Sequence, residues 1–289
     1  MQETISTLTT DDGTALALYR WTGDAPVRGI VQIAHGMGEH AGRYRRLAAA
    51  LVDAGFVVYA DDHRGHGLTA GTPANHGDLG PRGWSGLVGD LGAVGAQARS
   101  EHPGVPLVVL GHSMGSFALQ QYLLDHSDAL DAAVLSGTTA ADVIAAGMDP
   151  EAEVDLSAFN APFEPARTEY DWLSRDEAEV DLYVADPACG FGLDAPSAGS
   201  MFAGVLATGD AERIGAIRTD LPILVISGDA DPLAAGGPLV EMVGERYRAA
   251  GIADVTVRLY PGARHEIFNE TNRDDVTTDL LAWLDRVLG

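Results

Sequence analysis

Gly111-His112-Ser113-Met114-Gly115 sets a serine between two glycines, at the point where an apolar run gives way to a helix-compatible stretch. A serine hydroxyl attacks well only when it is exposed, close to a base and near donors for the oxyanion that develops. A G-x-S-x-G turn supplies the exposure: a sharp strand-to-helix bend lifts the side chain, and flanking glycines avoid the clashes that larger residues would cause. In a chain with 35 glycines the five-residue pattern alone is weak. Its context carries it, because residues 107–110 read as a strand running into the motif and 116–125 as a helix leaving it.

A nucleophile of this kind needs a base and an acid, in the chain order Ser, Asp or Glu, His. Two histidines follow Ser113. His126 closes the helix after the serine, an ordinary place for a polar or cationic group. His265 follows the last predicted strand through Pro261-Gly262-Ala263-Arg264, which delivers it to the sheet edge where Ser113 must sit. For the acid, Gly228-Asp229-Ala230-Asp231-Pro232 follows the penultimate strand. Asp231 lies further along the loop and Pro232 stiffens it, but spacing alone leaves Asp229 as a rival. The acid holds the imidazole tautomer and stabilises the imidazolium without taking the proton.

Two backbone N–H groups should face the tetrahedral oxygen. One is expected from Met114. The other is expected from His35-Gly36-Met37-Gly38-Glu39-His40, where glycines let the chain turn and expose the amide of Met37. His35, Glu39 and His40 are read as bracing this loop. Asp61-Asp62-His63-Arg64-Gly65-His66-Gly67 has residue types that also suit a metal, but compact polar loops of this composition usually form hydrogen-bonded networks. No metal site is expected there.

Short apolar runs alternating with helical stretches predict a mostly parallel sheet covered on both faces. Buried strands are expected at 29–34, 56–60, 106–110, 132–136, 222–227 and 255–260, after a hairpin of 4–10 and 15–21 turning at Asp11-Asp12-Gly13. Helices are expected near 41–54, 84–101, 115–126, 237–250 and 274–288. In the last, Val276, Leu280, Leu281, Leu284, Val287 and Leu288 line one face. Between strands 132–136 and 222–227 the rhythm breaks for some 80 residues. That acidic segment, with scattered Met148, Phe159, Phe163, Trp172, Tyr183, Phe191, Met201 and Phe202, is too long for a structureless loop and reads as an inserted helical cap. The expected architecture is therefore an α/β-hydrolase fold with an eight-stranded sheet: a core of 1–137 and 220–289, and a cap of 138–219.

Forty-two acidic residues stand against 18 basic ones, all arginine, for a net charge of -24. Such a surface repels phosphate backbones, which argues against nucleic-acid binding. Cys189 is the only cysteine, which removes a disulfide framework and a cysteine zinc site from consideration. With neither a secretory leader nor a membrane-length apolar run in view, a cytoplasmic protein is expected.

The longer motifs are more specific than the elbow. His35-Gly-Met-Gly-Glu-His-Ala-Gly-Arg-Tyr44, Asp62-His-Arg-Gly-His-Gly67, Gly-His-Ser113-Met-Gly, Ser-Gly-Asp-Ala-Asp231-Pro and Gly262-Ala-Arg-His265-Glu run nearly end to end. Within the cap, Leu173-Ser-Arg175, Glu179-Val-Asp181, Tyr183 and Asp186-Pro187 add to them. Together they resemble the monoacylglycerol lipase and lysophospholipase branch of the α/β-hydrolases, also described as serine-aminopeptidase-like. The resemblance implies Ser113, Asp231 and His265 as the triad, Met37 and Met114 as the oxyanion hole, and a cap that forms an apolar acyl channel. Phe159, Phe163, Trp172, Tyr183 and Phe202 are the candidate channel residues. Met37 stands where that branch often has a smaller residue.

The expected activity is hydrolysis of a lipid-like acyl ester through an acyl-enzyme, with no cofactor. The alternatives on the same triad are a small-ester, thioester or peptide hydrolase, or an acyltransferase. A non-catalytic binding module fits poorly with an intact Ser-Asp-His set. Apolar cap surface also leaves room for transient contact with a membrane surface.

Overall fold

The computed structural model describes residues 1–147, 149 and 154–289; Met148, named above among the apolar residues of the insertion, lies outside them. The chain opens with an antiparallel hairpin, β1 (Gln2–Thr9) and β2 (Ala15–Thr22). Gly13 turns it with φ 86, a region closed to most side chains. Four strands then alternate with helices: β3 (Gly29–Ala34), α1 (Arg45–Asp53), β4 (Phe56–Asp61), α2 (Gly67–Ala70), α3 (Gly83–Glu101), β5 (Leu107–His112), α4 (Met114–His126) and β6 (Ala132–Ser136). After a long insertion come β7 (Ile223–Gly228), α9 (Pro238–Ala249), β8 (Val255–Tyr260) and α10 (Arg273–Leu288). The insertion holds α5 (Ala141–Ala145), α6 (Glu177–Ala185), α7 (Ala195–Val205) and α8 (Ala211–Ile214).

All eight strands form one sheet in the order β1-β2-β4-β3-β5-β6-β7-β8. From β4 to β8 every pairing is parallel, and only β2 meets both its neighbours antiparallel. The central strands β3 to β7 are buried at every position, as expected of Val- and Ile-rich runs covered on both faces. Trp84, Leu87 and Leu91 of α3 and Leu119 and Leu123 of α4 pack on one face, and Leu47 and Leu51 of α1 with Leu280 and Leu284 of α10 on the other. A parallel sheet gathers all its strand C-termini at one edge, so the loops after β3, β5, β7 and β8 meet there.

Four expectations change. Strand β8 was read as buried on both faces, but it is the sheet edge: Val255, Thr256 and Val257 are half-buried and Arg258 is exposed. The helix expected at 41–54 is a 3-10 turn, Ala41–Tyr44, followed by α1. There the Asp62 carboxylate accepts from the Ala41 amide at 2.9 Å, so the first turn is tied to the neighbouring loop. The apolar face of α10 also includes buried Trp283, which the spacing argument passed over. The insertion is helical only in pieces, with 3-10 stretches at Leu156–Phe163, Asp171–Leu173 and Leu206–Gly209.

Candidate active site

Ser113 sits between β5 and α4 with φ 52 and ψ -121, one of two non-glycine residues at positive φ among the described residues. A side chain is held in that strained conformation only where its surroundings fix it. Packing provides the fixing: a Cβ on Gly111 would lie 2.4 Å from the Gly115 oxygen, and one on Gly115 would lie 2.2 Å from that of Ala34. Both positions require glycine because main chain meets main chain there. The Ser113 amide donates to Ser136 O at 2.9 Å, tying the turn to β6.

His265 arrives on the loop after β8 and Asp231 on the loop after β7. The imidazole Nδ1 donates to Asp231 Oδ2 at 2.8 Å, and both side chains are buried. Asp231 is itself held, since Oδ2 accepts from Ser227 Oγ at 3.0 Å and Oδ1 from the Leu233 amide at 2.9 Å. The rival Asp229 is exposed and accepts instead from the Gly262 amide at 2.6 Å, joining the two loops. Burial disfavours an imidazolium at His265, but the Asp231 charge and hydrogen bond outweigh it, with Glu266 and Glu39 adding to them. The net shift is upward from 6.5. The rings of Trp172 and His112 pack against His265, each with its centroid 4.8 Å away.

The loop after β3 carries Met37. Glu39 is buried, and its Oε1 accepts from the Gly36 amide at 2.6 Å and from Tyr44 Oη at 2.7 Å. Arg43 donates to Glu39 Oε2 at 2.9 Å and makes a two-pronged pair with Glu266. One guanidinium thus joins the Met37 loop to the His265 loop. Among the described residues, neither the Met37 nor the Met114 amide has a hydrogen-bond partner. Both residues line the same cavity as Ser113 and His265.

That cavity is narrow, about 70 Å³, and mostly apolar. Phe117 and Met114 contribute from α4, and Ile144, Val154, Leu156, Phe159, Trp172, Leu173, Tyr183, Met201 and Phe202 from the insertion. Of the five aromatic side chains expected there, Phe159, Trp172, Tyr183 and Phe202 line it. Phe163 does not; its ring lies under the Arg264 guanidinium at 4.2 Å.

The histidine-rich loop after β4 is a buried polar network. His63 Nδ1 meets Asp61 Oδ2 at 2.9 Å, and its Nε2 donates to His35 O at 3.2 Å. His35 Nε2 accepts from the His63 amide at 2.9 Å while its Nδ1 donates to Gly36 O at 2.7 Å. His66 is driven down to about 3, chiefly by burial. These contacts brace the loop that carries Met37, so the chemistry is second-hand: the network positions an amide.

With this geometry in place, the comparisons with known proteins speak to ancestry. Residues 25–272 match the family model described as Serine aminopeptidase, S33. The chain belongs to this family. A monoacylglycerol lipase of Mycolicibacterium smegmatis is 35% identical over 270 residues, which cover 91% of this chain and 90% of that one. A carboxyl esterase from Bacillus coagulans, solved in complex with glycerol, superposes with a TM-score of 0.87 at 29% identity, and each chain is covered completely. A soluble variant of the Saccharomyces cerevisiae monoglyceride lipase, 23% identical, shares the fold with a TM-score of 0.79 over 99% of this chain and 95% of that one. The architecture is thus an α/β-hydrolase fold, and the S33 chain described here is a hydrolase.

Sequence reasoning missed several S33 residues around the site. Arg43 and Glu266 lie inside the quoted motifs, yet nothing in their spacing joins residues 223 positions apart. His112 was read only as the variable position of the elbow. It is buried against His265, and burial with the neighbouring imidazole lowers it to about 4, so it is neutral. Ile144, Val154, Leu156, Leu173 and Leu233 also line the cavity. A search confined to aromatic residues passes over them.

Proposed function

We propose that this chain hydrolyses monoacylglycerols and related acyl esters through a covalent acyl-enzyme on Ser113. His265 Nε2 takes the proton of the Ser113 hydroxyl as Oγ bonds to the ester carbonyl carbon. The Met37 and Met114 amides donate to the oxyanion that forms. Collapse breaks the C–O bond to the alcohol, which leaves with the proton from His265. Water then attacks the acyl-enzyme, giving up a proton to His265, and the carboxylic acid departs as Ser113 Oγ recovers that proton. Asp231 holds Nδ1 protonated and offsets the charge of the imidazolium throughout.

The observation that carries this reading is the 2.8 Å His265–Asp231 bond at the wall of the cavity that also holds Ser113. Two unpartnered amides in the same cavity support the oxyanion assignment. Similarity to a monoacylglycerol lipase over most of the chain supports this choice of ester. Residues 138–219 serve as the lid, and its side chains exclude water from the acyl-enzyme. Exposed Leu182 and Val184 on α6 and Leu206 on the same lid meet the lipid surface that presents the substrate to a cytoplasmic enzyme.

The narrowness of the cavity favours a second reading, in which only short esters fit. A long chain has to push the lid side chains apart, whereas acetate or butyrate needs no such movement. Measuring kcat/KM on p-nitrophenyl esters from acetate to palmitate, and on a monoacylglycerol, separates the two. The lipase reading predicts a rise toward medium or long chains and release of fatty acid from the monoacylglycerol. Activity confined to acetate and butyrate supports the short-ester reading and removes the lipid one.

A further inference from the structure

Away from the proposed triad, three metal-ligating side chains of different chemistry converge where the insertion meets the Met37 loop. Nδ1 or Nε2 of His40, a carboxylate oxygen of Asp186 and Sγ of Cys189 all lie within 4.8 Å of one another, and each residue is partly exposed. His40 Nε2 and Asp186 Oδ2 are 3.1 Å apart. The other carboxylate oxygen, Asp186 Oδ1, accepts from the Ala188 amide at 2.9 Å, which orients the first. The Cys189 amide donates to Asp186 O at 3.0 Å, so a tight turn presents thiol and carboxylate together.

We propose that His40, Asp186 and Cys189 form a binding site for a borderline-soft divalent cation of the Zn2+ or Cd2+ class. Imidazole, carboxylate and thiolate are the three ligand types that Zn2+ accepts, and three protein ligands leave a fourth position for water. Softness selects against Mg2+ and Ca2+, which favour all-oxygen shells. Charge balances as well: neutral His40, ionised Asp186 and a Cys189 thiolate sum to two negative charges against the cation's two positive ones. Binding breaks the Cys189 S–H bond and forms an S–metal bond, with the proton released to solvent. The net charge of -24 draws cations toward the surface.

The site spans two segments that already touch. The Gly190 amide donates to Gly38 O at 3.0 Å, and Tyr183 Oη donates to the same oxygen at 2.8 Å. A bound cation therefore adds a stronger tie between the turn 186–190 and the loop that carries Met37. The lone cysteine argued against zinc because the sequence holds no second one; the fold supplies the missing ligands from residue 40 and from three positions upstream.

The test is titration of the full-length, tag-free protein with Cd2+, following the ultraviolet thiolate-to-cadmium band and the binding isotherm together. The proposal expects one Cd2+ per chain with a thiolate band, and an apparent affinity that rises about tenfold per pH unit as one thiol proton is displaced. Cys189→Ser should lose the band and weaken binding by at least 10- to 100-fold, the effect of losing even an outer-shell partner. Asp186→Asn and His40→Ala should each weaken binding similarly while keeping the band. Thermal melts without metal show that the variants are folded, and added Zn2+ should raise the melting temperature of the unaltered protein but not of Cys189→Ser. Absence of a thiolate band in the unaltered protein overturns the site. So does unchanged affinity in Cys189→Ser, or in both Asp186→Asn and His40→Ala. None of these readouts depends on ester hydrolysis, so failure here leaves the hydrolase reading standing, and the converse also holds.

Discussion

Ser113 and Asp231 follow the buried strands β5 and β7, and His265 follows the edge strand β8; main chain meets main chain closely at Gly111, Gly115 and Gly228 beside them. The walls above them, from residues 154–190, are held in another way. They form a small apolar cluster around Leu156, Trp172, Leu173 and Tyr183, tied to the core by a few main-chain bonds, such as the Glu266 amide to Leu173 O at 2.8 Å, and by side-chain bonds. Buried Glu270 accepts from the Arg175 amide at 3.0 Å, the Arg175 Nε at 2.9 Å and the Arg264 amide at 2.9 Å. Arg273 reaches Asp176 at 2.7 Å, and Arg46 reaches Glu179 at 2.6 Å. Helix α7 belongs with the first region rather than the second, since Ala198, Met201 and Phe202 join the main core and Ser200 Oγ accepts from the Trp84 amide at 3.0 Å. Main-chain contact fixes the floor of the proposed site, while its wall is held largely through side chains.

Changes in the floor should therefore cost far more than changes in the wall. Ser113→Ala should lower kcat on a p-nitrophenyl ester by about 10^4- to 10^6-fold with little change in melting temperature. Asp231→Asn should lower kcat by about 10^3- to 10^4-fold, because the wrong tautomer faces Ser113. Gly115→Ala should destabilise the fold by about 3 kcal/mol or more in a denaturant titration, since its Cβ meets the Ala34 carbonyl. At Gly147 a Cβ meets no described residue nearer than 3.6 Å, so Gly147→Ala should leave the denaturation midpoint almost unmoved.

The pH dependence sharpens the same contrast. His265 must be neutral to act as base, and its value is raised above 6.5 by Asp231 despite burial. The pH profile of kcat/KM should rise with pH through a midpoint above 6.5, and Asp231→Asn should move that midpoint down. The sign for stability is opposite. A raised folded value means that the pair's contribution is complete below the unfolded value and is lost as pH climbs through the folded one. A small effect is expected in the wall as well: Arg46→Ala breaks an exposed ion pair and should cost at most about 1 kcal/mol in denaturant.

The same division governs what could be read from the sequence. Strands β3 and β6 fall where the apolar runs begin and end, because a strand buried in a parallel sheet has no polar face to blur its pattern; β8 also matches its run, but its place at the sheet edge was not legible. The serine elbow was legible for a similar reason, as its two glycines answer to sheer lack of space. Asp229 and Asp231 could not be separated by spacing: two residues apart on one loop, they differ only in what lies across the gap, Gly262 for one and His265 for the other. In the insertion, 3-10 turns carry no helical periodicity, and Phe163 could be placed in the cavity as readily as Phe159. Its partner Arg264 lies about 100 residues away, beyond the reach of local patterns.

The central claim is that Ser113 becomes acylated, and reaction with a fluorophosphonate followed by peptide mass spectrometry tests it most directly. A single adduct is expected on the peptide containing Ser113, formed quickly in the unaltered protein and absent from Ser113→Ala. An adduct on another residue, or none while ester hydrolysis proceeds, would contradict it.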